Sequence, residues 1–438
     1  MKQLSLCAAL LLLATAAVTG QTRPTAFINA RIIPIVGQPI EQGILLVQDG
    51  KIKAVGDART VRLSADVQTV DLSGKTIMPG LVDTHSHIGD GSGADGSGPI
   101  QPDVRILDGI NARAASLQRA QAGGITTVNV MPGSGHIDSG QTLYLKLRDN
   151  AVKIDDLLIF GKDGRYAGGI KFANGTNSIR TGGGSFPGTR AKAGALVRDQ
   201  GIKAQEYRDK IKKAGSDSTK LPARDLAMEA LVEVLEGKRV VHFHTHRHDD
   251  ILTAIRLQKE FGFRIVLQHV SEAWKVADEI ARAKVPASII FIDSPGGKLE
   301  TMDISFVNGA ALEKAGALVG FHTDDGITDS RWFLRSGGLA VRAGMSREKA
   351  LYALTMANAI MLDLQDRVGS LEAGKDADFI VLSGDPLSVY THVLETWVEG
   401  RKVFDRSDPK DYLIALGGKG AGNDGAGAHL DCFESDQR

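Results

Sequence analysis

Between two β-rich ends, strand-like runs alternate with helical stretches, and this alternation predicts an α/β fold. Eight such runs fit a (β/α)8 TIM-like barrel. The two ends supply strands for a small β-sandwich domain. A third observation is where the histidines fall, at the C-terminal ends of strand-like runs, where barrels of this type carry functional side chains. A chain of 438 residues suits one large barrel with an accessory domain. The expected division is a signal peptide at 1–20, sandwich strands at 21–78, the barrel at 79–364, returning sandwich strands at 365–410 and a flexible Gly-rich tail at 411–438.

Met1-Lys2 precede an apolar run from Leu4 to Val18, and small residues follow up to Gly20-Gln21. That layout predicts a cleaved secretory signal and a periplasmic or secreted protein. The run is short for a membrane span, with an uncleaved anchor as the alternative. Cys7 lies inside the run, so after cleavage Cys432 stands alone and no internal disulfide or cysteine metal cluster can form. Any metal must be held by nitrogen and oxygen. The 52 basic and 52 acidic residues balance, which gives no electrostatic reason to expect nucleic acid or stable membrane insertion. The expected partner is a small-molecule substrate, with a homo-oligomer left open.

From Ala26 to Ile77 the pattern is short and β-rich, with strands expected at Ala26–Pro34, Gly43–Val47, Lys51–Val55 and Gln68–Asp71. Asp49-Gly50 between alternating runs is a hairpin signal. Similar strands return at Phe379–Leu382, Val393–Val398 and Lys402–Phe404. The barrel strands are expected at Leu81–His87, Ile125–Met131, Leu157–Phe160, Gly169–Phe172, Val240–His244, Ile265–His269, Ala287–Ile292 and Leu318–Asp324. Helices are expected at Val104–Gln121, Ala223–Leu235, Asp250–Phe261, Glu272–Ala283, Phe306–Ala315 and Arg347–Leu362. The third and fourth strands are too close for a crossover helix, so the barrel is irregular there or one assignment fails.

His85 and His87 end an apolar run at i and i+2, so both leave a strand on the same side and can meet one ion. Val240–His248 places His242, His244, His246 and His248 at alternate positions, and alternation alone does not choose among them. His269 ends an apolar strand, Asp324 ends another with Asp325 beside it, and Lys171 sits in a short apolar strand, a costly place for an unpaired ammonium.

Pro79-Gly80-Leu81-Val82-Asp83-Thr84-His85-Ser86-His87 resembles the first-strand metal motif of the amidohydrolase superfamily, especially its imidazolonepropionase-like and prolidase-like members. Gly369–Leu382 resembles the C-terminal sandwich motif of the same superfamily. The resemblance implies metal ligands at His85, His87, His244, His269 and Asp324, with Lys171 as a carbamylated bridge between two ions. It favours His244 on the fifth strand and leaves His246 as a substrate contact. It implies His269 either on a second ion or against the substrate carbonyl, and Asp324 as the catalytic base. The cofactor is then Zn²⁺ or another divalent metal, one ion or two.

The implied activity is hydrolysis of a C–N bond in an amide, cyclic amide or peptide-like substrate by a metal-activated water. Alternatives on the same barrel are a C–O or P–O hydrolase, of lactonase or phosphotriesterase type, or a non-catalytic binding protein. No Gly-x-Ser-x-Gly elbow or P-loop is present.

Overall fold

The computed structural model describes residues 23–91, 93–182, 184–291, 298–418 and 421. The expected signal at 1–20 and most of the expected tail lie outside these residues. Among the described residues, no helix is long and apolar enough to cross a membrane.

The chain is a mixed α/β fold. Its N-terminal part gives β1 (Thr25–Ile32), β2 (Ile40–Gln48), β3 (Lys51–Asp57), β4 (Gln68–Asp71) and β5 (Thr76–Pro79). The middle gives β6 (Leu81–Ser86), β7 (Ile125–Val130), β8 (Asp138–Gln141), β9 (Leu143–Lys146), β10 (Ile170–Ala173), β11 (Val241–Thr245), β12 (Ile265–His269), β13 (Ala287–Ile290) and β14 (Val319–His322). The C-terminal part gives β15 (Phe379–Leu382), β16 (Val393–Val398) and β17 (Arg401–Asp405).

The two chain ends meet in one eight-stranded sheet, ordered β17-β16-β15-β5-β1-β2-β3 with β4 beside β1. Its seam is the antiparallel pair β5–β15, with Ile77 opposite Val381. Phe27, Leu45, Ile77 and Phe379 form the core, and Phe27 meets Phe379 and Trp397 edge to face at ring distances of 4.9 Å. Asp49 and Gly50 both take the left-handed conformation that a two-residue type I′ hairpin requires.

In the middle, β6 and β7 pair in parallel, as do β10 to β14 in chain order. The backbone N–H of Asp324 donates to the His85 carbonyl at 2.9 Å, so the end of β14 lies beside the end of β6. Deeper down, Asn358 Nδ2 donates to the carbonyls of Val82 and Phe321 at 2.5 and 2.6 Å. Gly320 permits that reach, because a Cβ there would stand 2.0 Å from Asn358 Oδ1. Each strand is buried along its length, so these sequences read as apolar runs rather than alternations.

Seven of the eight expected central strands coincide with β6, β7 and β10 to β14. Leu157–Phe160 does not: Ile154–Leu157 is a 3-10 turn whose N-terminal N–H groups, at Val152 and Lys153, are held by the Asp156 carboxylate. The place between β7 and β10 is taken by β8 and β9, antiparallel to β10 and β7 respectively. Asp138, Ser139 and Gln141 are all buried there, and their polarity hid the segment from a hydrophobic reading. A 25-residue helix, Arg190–Ala214, was also not foreseen; only a narrow strip of Ala193, Gly194, Val197, Ala204 and Ala214 is buried, too sparse for a clear apolar stripe. Residues 411–416, read from composition as tail, complete a helix over Pro409–Leu416 begun by the Asp408 cap.

A buried ion cluster ties the end sheet to the middle. Lys146 Nζ on β9 lies 2.8 Å from Asp376 and 2.5 Å from Asp378. Asp376 also takes Lys51 and Arg367, at 2.5 and 3.0 Å. Burial alone would raise the Asp376 carboxyl, but Lys146, Lys51 and Arg367 together hold it down at about 2. For Asp378 burial dominates and its carboxyl is raised despite the Lys146 ammonium beside it. Lys146→Met should leave the buried Asp378 carboxylate without its direct ion-pair partner and cost about 3–5 kcal/mol in denaturant unfolding; a loss under about 1 kcal/mol would show the cluster to be idle. Because the Asp376 carboxyl is lower folded than unfolded, its contribution is complete above about pH 4 and disappears as the pH falls towards 2.

Candidate functional site

Strand ends bring the expected residues into one buried pocket. His85 is the penultimate residue of β6, and His87 lies one residue beyond the strand on the same side. Their Nε2 atoms lie 3.3 Å apart. Asp324 Oδ1 sits 3.2 Å from His85 Nε2 and 2.9 Å from His87 Nε2. The ring of His269 is 4.6 Å from that of His85 and 4.3 Å from that of His244. The imidazoles therefore form one continuous cluster from β6 across to β11.

The proton inventory at its centre is informative. A backbone carbonyl can only accept, so the 2.8 Å contact from His87 Nδ1 to the Met131 carbonyl places the His87 proton on Nδ1. His87 Nε2 faces the Asp324 carboxylate oxygen at 2.9 Å. Lys171 Nζ, fully buried, donates to His85 Nε2 at 2.9 Å and to the Met131 sulfur at 3.1 Å, so His85 Nε2 is an acceptor. Two imidazole nitrogens and a carboxylate oxygen thus converge within 3.3 Å, close enough for a single cation to meet all three. Buried nitrogens lacking any hydrogen-bond partner occur at both atoms of His244, Nε2 of His246 and Nε2 of His269. This nitrogen and oxygen donor set fits a divalent metal ion.

Electrostatics point the same way. Burial holds the imidazoles of His85, His244, His246 and His269 well below the usual histidine range, which keeps them neutral and able to bind metal. Burial would raise the Asp324 carboxyl, but His85 and His269 beside it hold it well below the carboxylate range. Behind it, Asp83 accepts from the His85 N–H at 3.1 Å and from Thr323 Oγ1 at 2.5 Å, and burial pushes its carboxyl up to about 7. His269 and Asp324 both have positive φ, 70° and 51°, a conformation costing non-glycine residues of order 1–3 kcal/mol each. The strain turns each side chain off its strand end into the pocket.

The remaining candidates separate. His242 lies deeper on β11, against Tyr144 Oη at 2.9 Å and Gln268 Nε2 at 3.1 Å, away from the cluster. His248 opens the helix His248–Phe261 with Nδ1 2.6 Å from Glu272. Asp325 turns to the Ser330 backbone and hydroxyl, so it holds the loop while Asp324 faces the histidines. His246 joins the pocket with Nδ1 on Ser271 Oγ at 2.8 Å. Two pocket residues escaped the sequence reading. His322 lies two positions before Asp324, and the same i, i+2 rule that paired His85 with His87 would have found it. Glu300 sits in the short 3-10 turn Leu299–Thr301 and carries no local signal.

His322 links the pocket to a buried chain. Its Nε2 is 3.1 Å from His269 Nδ1, its Nδ1 is 2.9 Å from Ser288 Oγ, and Ser288 Oγ is 2.7 Å from Thr84 Oγ1.

Known proteins resemble this chain in family and fold. Residues 181–404 match the amidohydrolase family model. The crystal structure of an amidohydrolase from Thermotoga maritima MSB8 is 34% identical, with a TM-score of 0.80, covering 87% of this chain and all of that one. Amidohydrolase tasK of Hapsidospora irregularis is 26% identical over 84% of this chain, which spans only 39% of that relative's length. An imidazolonepropionase of Alkaliphilus metalliredigens is 22% identical, over 84% of this chain and 91% of that protein.

A ligand that binds only the folded protein stabilises it by about 2.7 kcal/mol at a hundred times its Kd. Chelator-treated protein should therefore melt at a higher temperature when Zn²⁺ is restored at such excess. An unchanged melting curve would mean that the converging donors bind no ion.

Proposed function

This chain belongs to the amidohydrolase family, and from that premise we propose that it is a metal-dependent hydrolase of C–N bonds, acting on an amide, cyclic amide or peptide-like substrate with one or two divalent ions, Zn²⁺ foremost. The observation that carries this reading is the convergence of His85 Nε2, His87 Nε2 and Asp324 Oδ1. An ion held there, with Lys171, His244 and His269 around it, supplies a water of lowered pKa and polarises the scissile carbonyl.

The protein's own groups do the rest. Asp324 is ionised, buried and next to the ligand cluster, so its carboxylate accepts the proton of the attacking water and passes it to the leaving nitrogen. His269 works according to where its proton sits. With the proton on Nδ1, donated to His322, its Nε2 lone pair faces the pocket as a ligand. With the His322 proton on Nε2, His269 Nδ1 accepts and its own Nε2–H is free to donate to a carbonyl oxygen. The Ser288 and Thr84 hydroxyls let the proton order reverse along the chain. Lys171 orients His85 as an ammonium; carbamylated, it would offer oxygen ligands to the metal instead.

We read β6 to β14 as one (β/α)8-type barrel whose third unit is replaced by β8 and β9, with the sheet from both chain ends as its accessory sandwich. The charged start, apolar run and small-residue exit at 1–20 support export to the periplasm or medium.

Against a library of amides and dipeptides, Asp324→Asn should lose about 10²–10⁴ in turnover, the usual reach of a general acid–base group. Wild-type rates in that variant would remove Asp324 as the base.

A further inference from the structure

Beside the cluster, a second set of donors joins His244 to two residues, His246 and Glu300, that the proposed chemistry leaves aside. His244, His246 and Glu300 each offer a ligand atom, all within 4.8 Å of one another, and all three side chains are buried. Both nitrogens of His244, Nε2 of His246 and Oε1 of Glu300 have no hydrogen-bond partner. Buried polar atoms are seldom left so, because each forfeits its hydration without return.

The surroundings fix these atoms in place. Ser271 Oγ holds His246 by Nδ1 and leaves Nε2 facing the set, the arrangement in which a histidine ligand is usually oriented by its other nitrogen. Glu300 is held by Oε2 alone, which accepts from the Thr176 N–H at 2.8 Å and from Arg190 at 3.4 Å. Arg190 is in turn held by Asp250 at 2.8 Å. Gly175, at φ 76°, admits the Glu300 carboxylate: a Cβ there would lie 2.5 Å from Oε2. An acid brought deliberately under a glycine, with one oxygen clamped and the other bare, is built to present that oxygen.

We propose that His244, His246 and Glu300 form a separate divalent-cation position, distinct from the one at His85, His87 and Asp324. Two imidazoles and one carboxylate are a sufficient protein set for Zn²⁺ with an exchangeable fourth place. The position rests on the reading of the pocket as a metal site, and it assigns His246 and Glu300 to an ion rather than to the substrate. Arg190 already neutralises part of the Glu300 charge from the Oε2 side, so this is the weaker of the two positions.

Titration of the chelator-treated full-length protein with Co²⁺ against a chromophoric competitor, with ions counted by mass spectrometry, tests this. The wild type should take two ions, one tighter than the other. Glu300→Gln and His246→Asn should each weaken the looser one beyond the roughly 10–100-fold that loss of an outer partner costs, with the tighter one unchanged. His87→Asn should do the opposite. Unaltered binding of both ions in Glu300→Gln would overturn the proposal, as would a single ion in the wild type that only His87→Asn removes; the hydrolase reading would survive either result. A wild type that takes no ion sinks both. Should a variant fail to fold, anomalous scattering from Co²⁺-soaked wild-type crystals decides, by a peak between His246 Nε2 and Glu300 Oε1 or its absence.

Discussion

Two imidazole nitrogens and a carboxylate oxygen held within 3.3 Å of one another are the constraint around which this protein is arranged. A folded chain brings His85, His87 and Asp324 this close only where neighbouring groups hold them there, because polar atoms give up water to meet. Asp83 clasps Thr323 and the His85 N–H, the Asp324 N–H reaches back to the His85 carbonyl, and two residues hold strained dihedrals at strand ends. Lys171 closes the group from the far side of His85.

The geometry also separates ligand holding from proton handling. His87 is fixed in one tautomer by a carbonyl that can only accept. His269 faces a histidine and two hydroxyls, all of which can both give and take, so its proton is free to change sides. Fixed and reversible imidazoles in one pocket serve different chemical purposes, and the difference arises from what lies behind each ring rather than from the rings themselves.

Much of the central architecture was legible in the chain because both faces of its strands are buried. Leu81–His87 and Ile265–His269 read as apolar runs with a histidine at the exit, and that is how they fold. What escaped detection did so for physical reasons. β8 buries Asp138, Ser139 and Gln141, so hydrophobicity is the wrong signal there. The helix Arg190–Ala214 buries so little that its periodicity is faint. Glu300 reaches the pocket from a short 3-10 turn, positioned by Gly175 more than a hundred residues earlier, a relation no window on the sequence can contain. The four alternating histidines of Val240–His248 were indistinguishable by spacing and were separated only by depth along β11 and by their partners.

The seam between β5 and β15 has a consequence for how the chain is made. Ile77 meets Val381 across about 300 intervening residues. On a ribosome, the first strands to emerge must wait, with an edge exposed, until almost the whole polypeptide has been synthesised. Completion of the sheet, and with it the burial of Asp376 and Asp378 against Lys146, is therefore a late act of assembly. A nascent chain halted within the central strands would display an unfinished edge to any chaperone or protease that patrols for one.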